Sequence, residues 1–428
     1  MIITLDCGIK STLLIKQAKD NGIDTIVCDH HLPDEELPEA IAILNPKQKE
    51  CNYPYKELCG CGVAYKLITG YANRYQVNIE HVNRHLDLVA TAIAADIVPI
   101  TGENRTLCVL GLDKANHNPS IPLKALRYIN ALEKEFTISD LVFIIAPRVN
   151  AAGRMDDARK AVDMFIAEDI EKAKEFAALL HEDNNDRRDV DRSTTLEALD
   201  LLNGNESDTM MRSTVVYQPH WHKGVVGIVA SRLIEHYYRP TVVLTMSEGK
   251  VTGSARSIKG FNLFDGLNQC SEYLENWGGH YFAAGLTMKE ENLPHFRLKF
   301  DEVVNTMVPE EMFQPVIEID AELNFQDIND AFLNILKQFS PHGPENMKPV
   351  FLSRGVKDFK GMSSIVKEKH LRLVAYQKDG KTLNGIGFNL AEKLNIIRSR
   401  PQFDILYHID ENEWNGNKTI QLKIIDLR

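Results

Sequence analysis

The N-terminal stretch of the chain carries the pattern that most restricts its fold. Apolar residues at 1–5 (MIITL) are followed by an amphipathic stretch at 10–21 and a second apolar run at 24–28 (DTIVC). This order predicts a strand, a crossover helix and a strand, the unit from which parallel sheets are built. A third strand and two helices are predicted at 40–44, 61–75 and 80–97. The sequence therefore predicts an α/β fold around a parallel sheet.

Polar residues directly follow two of these predicted strands. Asp6 follows the first strand, and Asp29, His30 and His31 follow the second. Ligands of open parallel sheets bind outside the carboxyl ends of the strands. These side chains are therefore predicted to meet at one edge of the sheet.

Asp96 is a further candidate for this cluster, because it ends the apolar helix predicted at 80–97. A lone carboxylate among residues that favour burial would be costly, and a bound cation would remove that cost. Imidazole and carboxylate ligands together suit Mn²⁺, Fe or Zn²⁺ better than Ca²⁺. The alternative interpretation is that Asp96 caps a helix or pairs with an arginine, with His30 and His31 on a surface loop.

The sequence pattern changes along the rest of the chain. Residues 167–203 lack Gly and Pro and are highly charged, which predicts a long connecting helix with a break near Asn184 and Asn185. Strand and helix patterns alternate again over 213–310. From 315 onward, apolar residues alternate in period two, which favours a five-stranded barrel of the OB type with a helix at 328–339.

Composition narrows the class of protein. A length of 428 residues suggests about three domains, and 44% hydrophobic with 25% charged residues is typical of soluble globular chains. We expect no membrane association, because no apolar run is long enough to span a bilayer. Seven cysteines without a regular framework favour a reducing, cytoplasmic location. The net charge of −11 argues weakly against non-specific binding of polyanions over the whole surface, but it allows a local basic groove.

Successive motifs resemble those of the DHH phosphoesterase superfamily. In the N-terminal half these are LDCGI (5–9), DHHLP (29–33), ADIVP (95–99) and PRVNAAGRM (147–155). Three further motifs resemble the associated C-terminal domain of that superfamily. They are WHKGVVGIVASRL (221–233), GSARS (253–257) and GGHYFAAG (278–285). GPENMKPVF at 343–351 resembles the segment that opens the barrel in the RecJ family of single-strand-specific 5′→3′ exonucleases. The resemblance to that family covers the whole chain.

The resemblance implies a division into domains. Residues 1–165 would form the DHH phosphoesterase domain, and 166–205 the connecting helix. Residues 206–312 would form the DHH-associated nucleic-acid-binding domain, and 313–428 the OB-fold domain.

The resemblance also implies roles for the strand-end residues. Asp6 would bridge two divalent ions, Mn²⁺ or Mg²⁺, and His30 and Asp96 would complete the ligands of one of them. His31 would face the scissile phosphate, and Asp29 would orient the histidine pair. Two metal ions activate a water and stabilise the leaving oxygen in an in-line displacement.

Phosphate and strand contacts would come from the other motifs. Arginine is the natural bidentate partner of phosphate, and glycines before a helix can cradle an anion. The residues implied are Arg148, Asn150, Arg154, His222, Ser254, Arg256, Ser257, Gly278, Gly279 and His280. The alternatives are a salt-bridged loop around Arg148 and Arg154 and a simple tight turn at Gly278–His280. Trp221 and Phe282 could stack on bases, although core packing is the ordinary expectation for Phe282.

One departure from the family pattern bears on activity. The family carries an Asp-x-Asp-type motif on the strand that precedes the one at 1–5, and this chain lacks it. We therefore expect the chain to be N-terminally truncated, to hold about half of the metal site, and to have little or no activity in this form.

The sequence supports one leading function and two alternatives. The leading hypothesis is a metal-dependent exonuclease of DNA repair and recombination that acts on single-stranded DNA, with a single-strand-binding protein and a helicase as possible partners. An oligoribonuclease or nucleotide phosphatase of the same superfamily is disfavoured by the barrel predicted at 315–428. A non-catalytic single-stranded nucleic-acid-binding protein is the alternative from another class.

Overall fold

The computed structural model describes residues 1–155, 157–204, 211–378, 380–414 and 416–428. Its contacts divide the chain into two compact units. The first unit consists of Met1–Asn118, Phe136–Val142 and Ile317–Arg428, and the second of Pro119–Glu135 and Phe143–Val316. Within the described residues, no helix combines the length and the apolar character that a membrane span requires.

The first unit begins with the predicted strand, helix and strand. Parallel strands β1, β2 and β3 pair in chain order, with Leu5 beside Cys28 and Cys28 beside Leu44. The strands are β1 Ile2–Leu5, β2 Thr25–Cys28 and β3 Ala42–Leu44. This register places the carboxyl ends of the described strands at one edge, as predicted.

Helices cover this sheet and continue beyond it. The helices of this part of the first unit are α1 Thr12–Asp20, α2 Gly60–Tyr75, α3 Glu80–Asn83, α4 Leu86–Asp96, α5 Gly102–His117 and α7 Ile138–Asp140. The single helix predicted at 80–97 is thus two helices, α3 and α4. Val27 of β2 and Ala90 and Ile93 of α4 are fully buried, so both elements contribute apolar side chains to the interior of this unit.

The C-terminal part of the first unit is built from β-strands. Its described strands are β9 Ala321–Glu322, β10 Phe351–Asp358, β11 Ser364–Val366, β12 His370–Tyr376, β13 Thr382–Gly387, β14 Phe403–Trp414 and β15 Asn417–Leu427. Because β10 pairs with both β14 and β12, the strand pairings form a closed circuit, from β10 through β12, β13, β15 and β14 back to β10. Helices α14 Asp330–Lys337 and α15 Leu394–Ser399 accompany them, and Phe325, Leu371 and Tyr407 lie in the buried core.

The second unit is organised around one long helix, α10, which runs without interruption from Ile170 to Asn203. The predicted break near Asn184 and Asn185 is therefore wrong. The Asp169 side chain caps its first turn by accepting hydrogen bonds from the Glu171 and Lys172 amides. Helices α6 Ile121–Ile129, α8 Ala146–Met155 and α9 Arg159–Ile166 pack against α10.

A mixed sheet completes the second unit. Its described strands are ordered β4–β5–β6–β8–β7, with β4 parallel to β5 and the other pairs antiparallel. The strands are β4 Thr214–Tyr217, β5 Thr241–Ser247, β6 Lys250–Arg256, β7 Asn276–Gly279 and β8 Ala283–Met288. The helices are α11 Val226–Tyr237, α12 Leu263–Asn268 and α13 Leu293–Met307.

Candidate functional site

The strand-end residues of the first unit come together. His30 Nε2 lies 3.1 Å from Asp6 Oδ1 and 3.4 Å from Asp96 Oδ2. One ligand atom from each of Asp6, His30 and His31 also lies within 4.8 Å of the others. Three elements therefore converge here, because Asp6 follows β1, His30 follows β2 and Asp96 is the last residue of α4.

The surroundings of His30 fit a cation. The residue is buried, and within the described part of the chain neither of its ring nitrogens has a hydrogen-bond partner. Nε2 is close to two carboxylate oxygens, but not in hydrogen-bonding geometry. A buried polar group without a partner costs about 1–3 kcal/mol, and an ion held between imidazole and carboxylates would remove that cost. The residues present therefore fit a divalent metal ion.

The electrostatics of this cluster follow from burial and proximity. Burial alone would lower the pKa of His30, but the Asp6 and Asp96 carboxylates outweigh it and raise that pKa. Burial raises the pKa of Asp96, although His30 acts against it. The side chain of Asp96 is 38% exposed, so the expectation of a carboxylate enclosed by apolar residues is wrong. The argument for a cation rests on convergence of ligand atoms instead.

Asp29 anchors the histidine pair. It is 1% exposed, and its Oδ1 accepts hydrogen bonds from the backbone amides of His30 and His31. The same oxygen lies 2.7 Å from His31 Nδ1, while Oδ2 accepts a hydrogen bond from the Ile9 amide. Burial would raise the pKa of Asp29, but these hydrogen bonds prevail and lower it. Asp29 is thus an ionised anchor that fixes the orientation of the His31 ring.

Two residues of this site were missed by sequence reasoning. Asn45 follows β3, is buried, and donates a hydrogen bond to the His31 carbonyl at 2.8 Å. Its position directly after the third predicted strand could have identified it as a residue of the site. Gly60 opens α2 against Asp6, and a Cβ there would lie 2.2 Å from Asp6 Oδ1. Only glycine leaves room for the Asp6 carboxylate, whose backbone has a positive φ of 63°.

A basic groove lies within the second unit. It encloses about 490 Å³, and none of the described residues that line it is acidic. The lining residues are Gly153, Arg154, His222, Lys223, Gly224, Val226, Gly227, Thr252, Gly253, Ser254 and Arg256. Of the predicted phosphate-binding residues, it thus brings together Arg154, His222, Ser254 and Arg256.

Arg256 is held rigidly at this groove. Its Nη1 donates hydrogen bonds to Ser254 Oγ at 2.7 Å and to the Ala255 carbonyl at 2.8 Å. Burial and then the nearby Arg154 lower the pKa of Arg256, which means that positive charge is concentrated here. Gly227, which sequence reasoning missed, allows α11 to approach closely, because a Cβ there would lie 2.9 Å from Arg256 Nη2. This arrangement suits an anion with several oxygen acceptors.

Other predicted phosphate ligands lie elsewhere in the second unit. Arg148 is buried, and its guanidinium donates to the Ile144 carbonyl and to His181 Nδ1. Asn150 is exposed on the same helix, α8. Ser257 Oγ donates to the Phe261 carbonyl at 2.7 Å. None of these three lines the groove as described.

The helix predicted after Gly278 and Gly279 is wrong. Both glycines belong to β7, and the His280 amide donates to the Ala283 carbonyl in the turn that leads to β8. The described backbone here forms a tight turn and not a helix N-terminus, and phosphate contact by these residues stays a prediction. Trp221 is buried with Nε1 donating to Glu197 and is not placed to stack on a base. Phe282 is 54% exposed, so core packing is wrong for it.

Comparisons with known families agree with this arrangement. Residues 1–93 match the model of the DHH family, N-terminal domain, residues 211–306 match the DHHA1 domain, and residues 319–426 match the RecJ OB domain.

Whole proteins are also similar. The chain is 36% identical over 431 residues to the single-stranded-DNA-specific exonuclease RecJ of Bacillus subtilis, covering all of this chain and 53% of that protein. It is 33% identical over 446 residues to the Escherichia coli protein of the same name, covering all of this chain and 76% of that protein.

A solved structure is similar along the whole chain. The crystal structure of RecJ from Thermus thermophilus in complex with Mn²⁺ matches with a TM-score of 0.86 and 26% identity. The match covers all of this chain and 61% of that one. The chain thus spans only part of the length of these relatives.

Proposed function

The chain belongs to the RecJ family of single-stranded-DNA-specific exonucleases, and from that membership we propose that it removes nucleotides from the 5′ end of single-stranded DNA. The reaction is a metal-dependent hydrolysis of phosphodiester bonds in DNA repair and recombination. The observation that carries this proposal is the approach of Asp6 Oδ1 and Asp96 Oδ2 to Nε2 of the buried His30.

Asp6, His30 and Asp96 would hold a divalent ion, Mn²⁺ or Mg²⁺. When bound, such ions supply Lewis-acid stabilisation of the phosphate and a water nucleophile at neutral pH. The protein's own contribution is to set the ligand atoms in place. Gly60 leaves space for the Asp6 carboxylate, and β2 presents His30 from a buried position.

His31 is proposed to face the scissile phosphate as a catalytic residue. Its Nδ1 lies 2.7 Å from Asp29 Oδ1, which fixes the orientation of the ring, and Nε2 would then form a hydrogen bond with a phosphate oxygen. Asn45 holds the His31 carbonyl from β3. Asp29 and Asn45 are therefore positioning residues, which act on the phosphate only through His31.

Strand binding is proposed for the basic groove. Arg154, Arg256 and Ser254 would contact backbone phosphates, with His222 beside them. Exposed Phe282, next to Tyr281 at 4.6 Å between ring centroids, would provide a stacking surface that accepts any base. Arg148, Asn150, Ser257, Gly278, Gly279 and His280 stay predictions as phosphate contacts. Arg148 has the weakest support, because its guanidinium is already bonded inside the unit.

The remaining parts of the proposal concern organisation and context. We propose domain limits near 165, 205 and 312. The family matches at 211–306 and 319–426 support the last two of these limits. A single-strand-binding protein and a helicase are proposed partners. A cytoplasmic location is proposed because all seven cysteines are free thiols.

The test is cleavage of labelled oligonucleotides by the full-length protein. Single strands labelled at the 5′ end should release labelled mononucleotides at once when Mn²⁺ is present, and 3′-labelled strands should shorten gradually. Duplexes with blunt ends should resist. Binding of single strands without any cleavage, under Mn²⁺ and Mg²⁺ alike, would instead establish the non-catalytic alternative.

A further inference from the structure

A loop from the C-terminal part of the first unit packs against the segment that follows α4. This docking loop, residues 338–346, connects α14 to β10. The Ile100 amide donates a hydrogen bond to the Pro344 carbonyl at 2.8 Å. Arg105 Nη2 donates to the carbonyls of Gln338 at 2.7 Å and Ser340 at 3.0 Å. The loop is therefore bonded to the chain four residues beyond Asp96.

The docking loop has a fixed shape of its own. Asn346 Nδ2 donates to the Phe339 and Pro341 carbonyls, both at 2.9 Å. The backbones of Gly343 and Asn346 exchange two hydrogen bonds, at 3.1 and 2.9 Å. With its carbonyls bonded internally, the loop presents a preformed surface rather than a flexible one.

The contact between the loop and Ile100 is tight. Ile100 is 1% exposed, and a Cβ on Gly343 would lie 2.4 Å from Ile100 Cγ1. From other directions the same segment is held by the buried Asn104, whose Nδ2 donates to the Pro99 carbonyl at 3.0 Å, and by Tyr55, whose hydroxyl donates to that carbonyl at 3.3 Å. The chain from Pro99 to Thr101 is thus clamped between the loop and these side chains.

This clamp bears directly on Asp96. The next residue, Ile97, is a β-branched residue with a positive φ of 57°, a backbone state that persists only where surrounding contacts enforce it. We infer that the docking loop enforces this turn and so positions the Asp96 carboxylate beside His30. The loop would be a positioning element of the metal centre, supplied by the C-terminal β region. This inference rests on the proposed role of Asp96 as a metal ligand.

The test measures the affinity of the full-length protein for Mn²⁺ in the absence of DNA. The electron paramagnetic resonance signal of free Mn²⁺ is followed as the protein is added. Gly343→Ala pushes the loop away from Ile100, and Arg105→Ala removes two of its hydrogen bonds. Both should weaken Mn²⁺ binding about tenfold, the lower end of the effect of groups that orient metal ligands. Arg105→Lys keeps a donor near the same carbonyls and should recover part of the affinity. Gly70→Ala is the matched control, since its Cβ would meet nothing within 4 Å.

The melting temperature of each variant separates positioning from stability. A merely structural loop would lower the melting temperature and leave the Mn²⁺ affinity of the folded protein unchanged. Wild-type affinity in both Gly343→Ala and Arg105→Ala, with weakened binding in Asp96→Asn, would overturn the inference while the metal assignment stands. Unchanged binding in Asp96→Asn would overturn the metal assignment and this inference together. If Gly343→Ala fails to fold, Arg105→Ala decides the question.

Discussion

The candidate metal centre and the basic groove are assembled in different ways. Asp6 and Asn45 stand directly after β1 and β3, and His30 stands two residues after β2, so the pairing of parallel strands brings them to one edge. The groove is lined by the end of α8, the start of α11 and the strand β6, which are far apart in the sequence and share no sheet edge. The first site could therefore be predicted from spacing, whereas the second needed the packing of helices on a sheet.

The two regions also make opposite electrostatic demands. The metal centre gathers carboxylates and imidazoles, which attract a cation. The groove gathers guanidinium groups and leaves out carboxylates among its described lining residues, which attracts phosphates. If this contrast is correct, substitutions in the metal centre should change metal affinity and leave the affinity for single strands nearly unchanged. Substitutions in the groove should do the opposite.

The largest expected effect is the loss of cleavage on removal of a metal ligand. His30→Ala or Asp96→Asn should lower Mn²⁺-dependent cleavage by more than about 100-fold, because even groups that only orient metal ligands cost up to that much. The affinity for a single-stranded oligonucleotide in EDTA should stay at the wild-type value, as measured by fluorescence anisotropy. An equal loss of strand binding would show that the two regions are not separable.

The next effect concerns Arg256, which is bonded in place by Ser254 and the Ala255 carbonyl. Arg256→Ala should weaken strand binding by roughly 10- to 100-fold, the value of one or two charge-assisted hydrogen bonds. Arg256→Lys should not restore it, because an ammonium cannot reproduce the planar fork. The slope of log affinity against log salt concentration should become shallower by about 0.7 for each phosphate that the variant no longer neutralises. Mn²⁺ affinity should not change, and Arg74→Ala, an exposed arginine on α2, serves as the control.

A smaller effect is expected at Gly60. Gly60→Ala would force the Asp6 carboxylate to move, because the new Cβ would lie 2.2 Å from Oδ1, and Mn²⁺ affinity should fall about tenfold. Gly70→Ala, in the same helix but in open space, should bind Mn²⁺ as the wild type does. Calorimetric titration with Mn²⁺ measures both. Equal affinity in the two variants would show that Asp6 has more freedom than its surroundings indicate.

The smallest effects distinguish two arginines of α8. Arg154→Ala should weaken strand binding about threefold to tenfold without changing the melting temperature, because its guanidinium lies at the groove. Arg148→Ala should instead lower the free energy of unfolding by about 1–3 kcal/mol, because it removes the hydrogen bonds to the Ile144 carbonyl and to His181 Nδ1. Urea denaturation and anisotropy measure the two quantities. Weakened strand binding by Arg148→Ala at unchanged stability would restore Arg148 as a phosphate ligand.

Sequence reasoning failed where local pattern and packing disagree. Gly278 and Gly279 suggested a helix start, but cross-strand pairing with β8 makes them the end of a strand. Trp221 suggested a stacking residue, but the hydrophobic cluster under α11 encloses it. Arg148 carries the same charge as Arg154, yet its place on α8 turns it towards His181. In each case the residue type is compatible with both outcomes, and only neighbours distant in sequence choose between them.

The sequence by itself determined the α/β start of the chain, the strand ends that carry Asp6, Asp29, His30 and His31, and the chemistry that these residues can perform. Strand periodicity and the geometry of parallel pairing are local properties, so they can be read from one chain. The tertiary structure decided the close approach of Gly60 to Asp6, the clamp on the turn after Asp96, and the choice of arginines that face the groove. These features depend on which surfaces pack together, because van der Waals contacts and hydrogen bonds form between residues that are distant in the sequence and have no regular spacing.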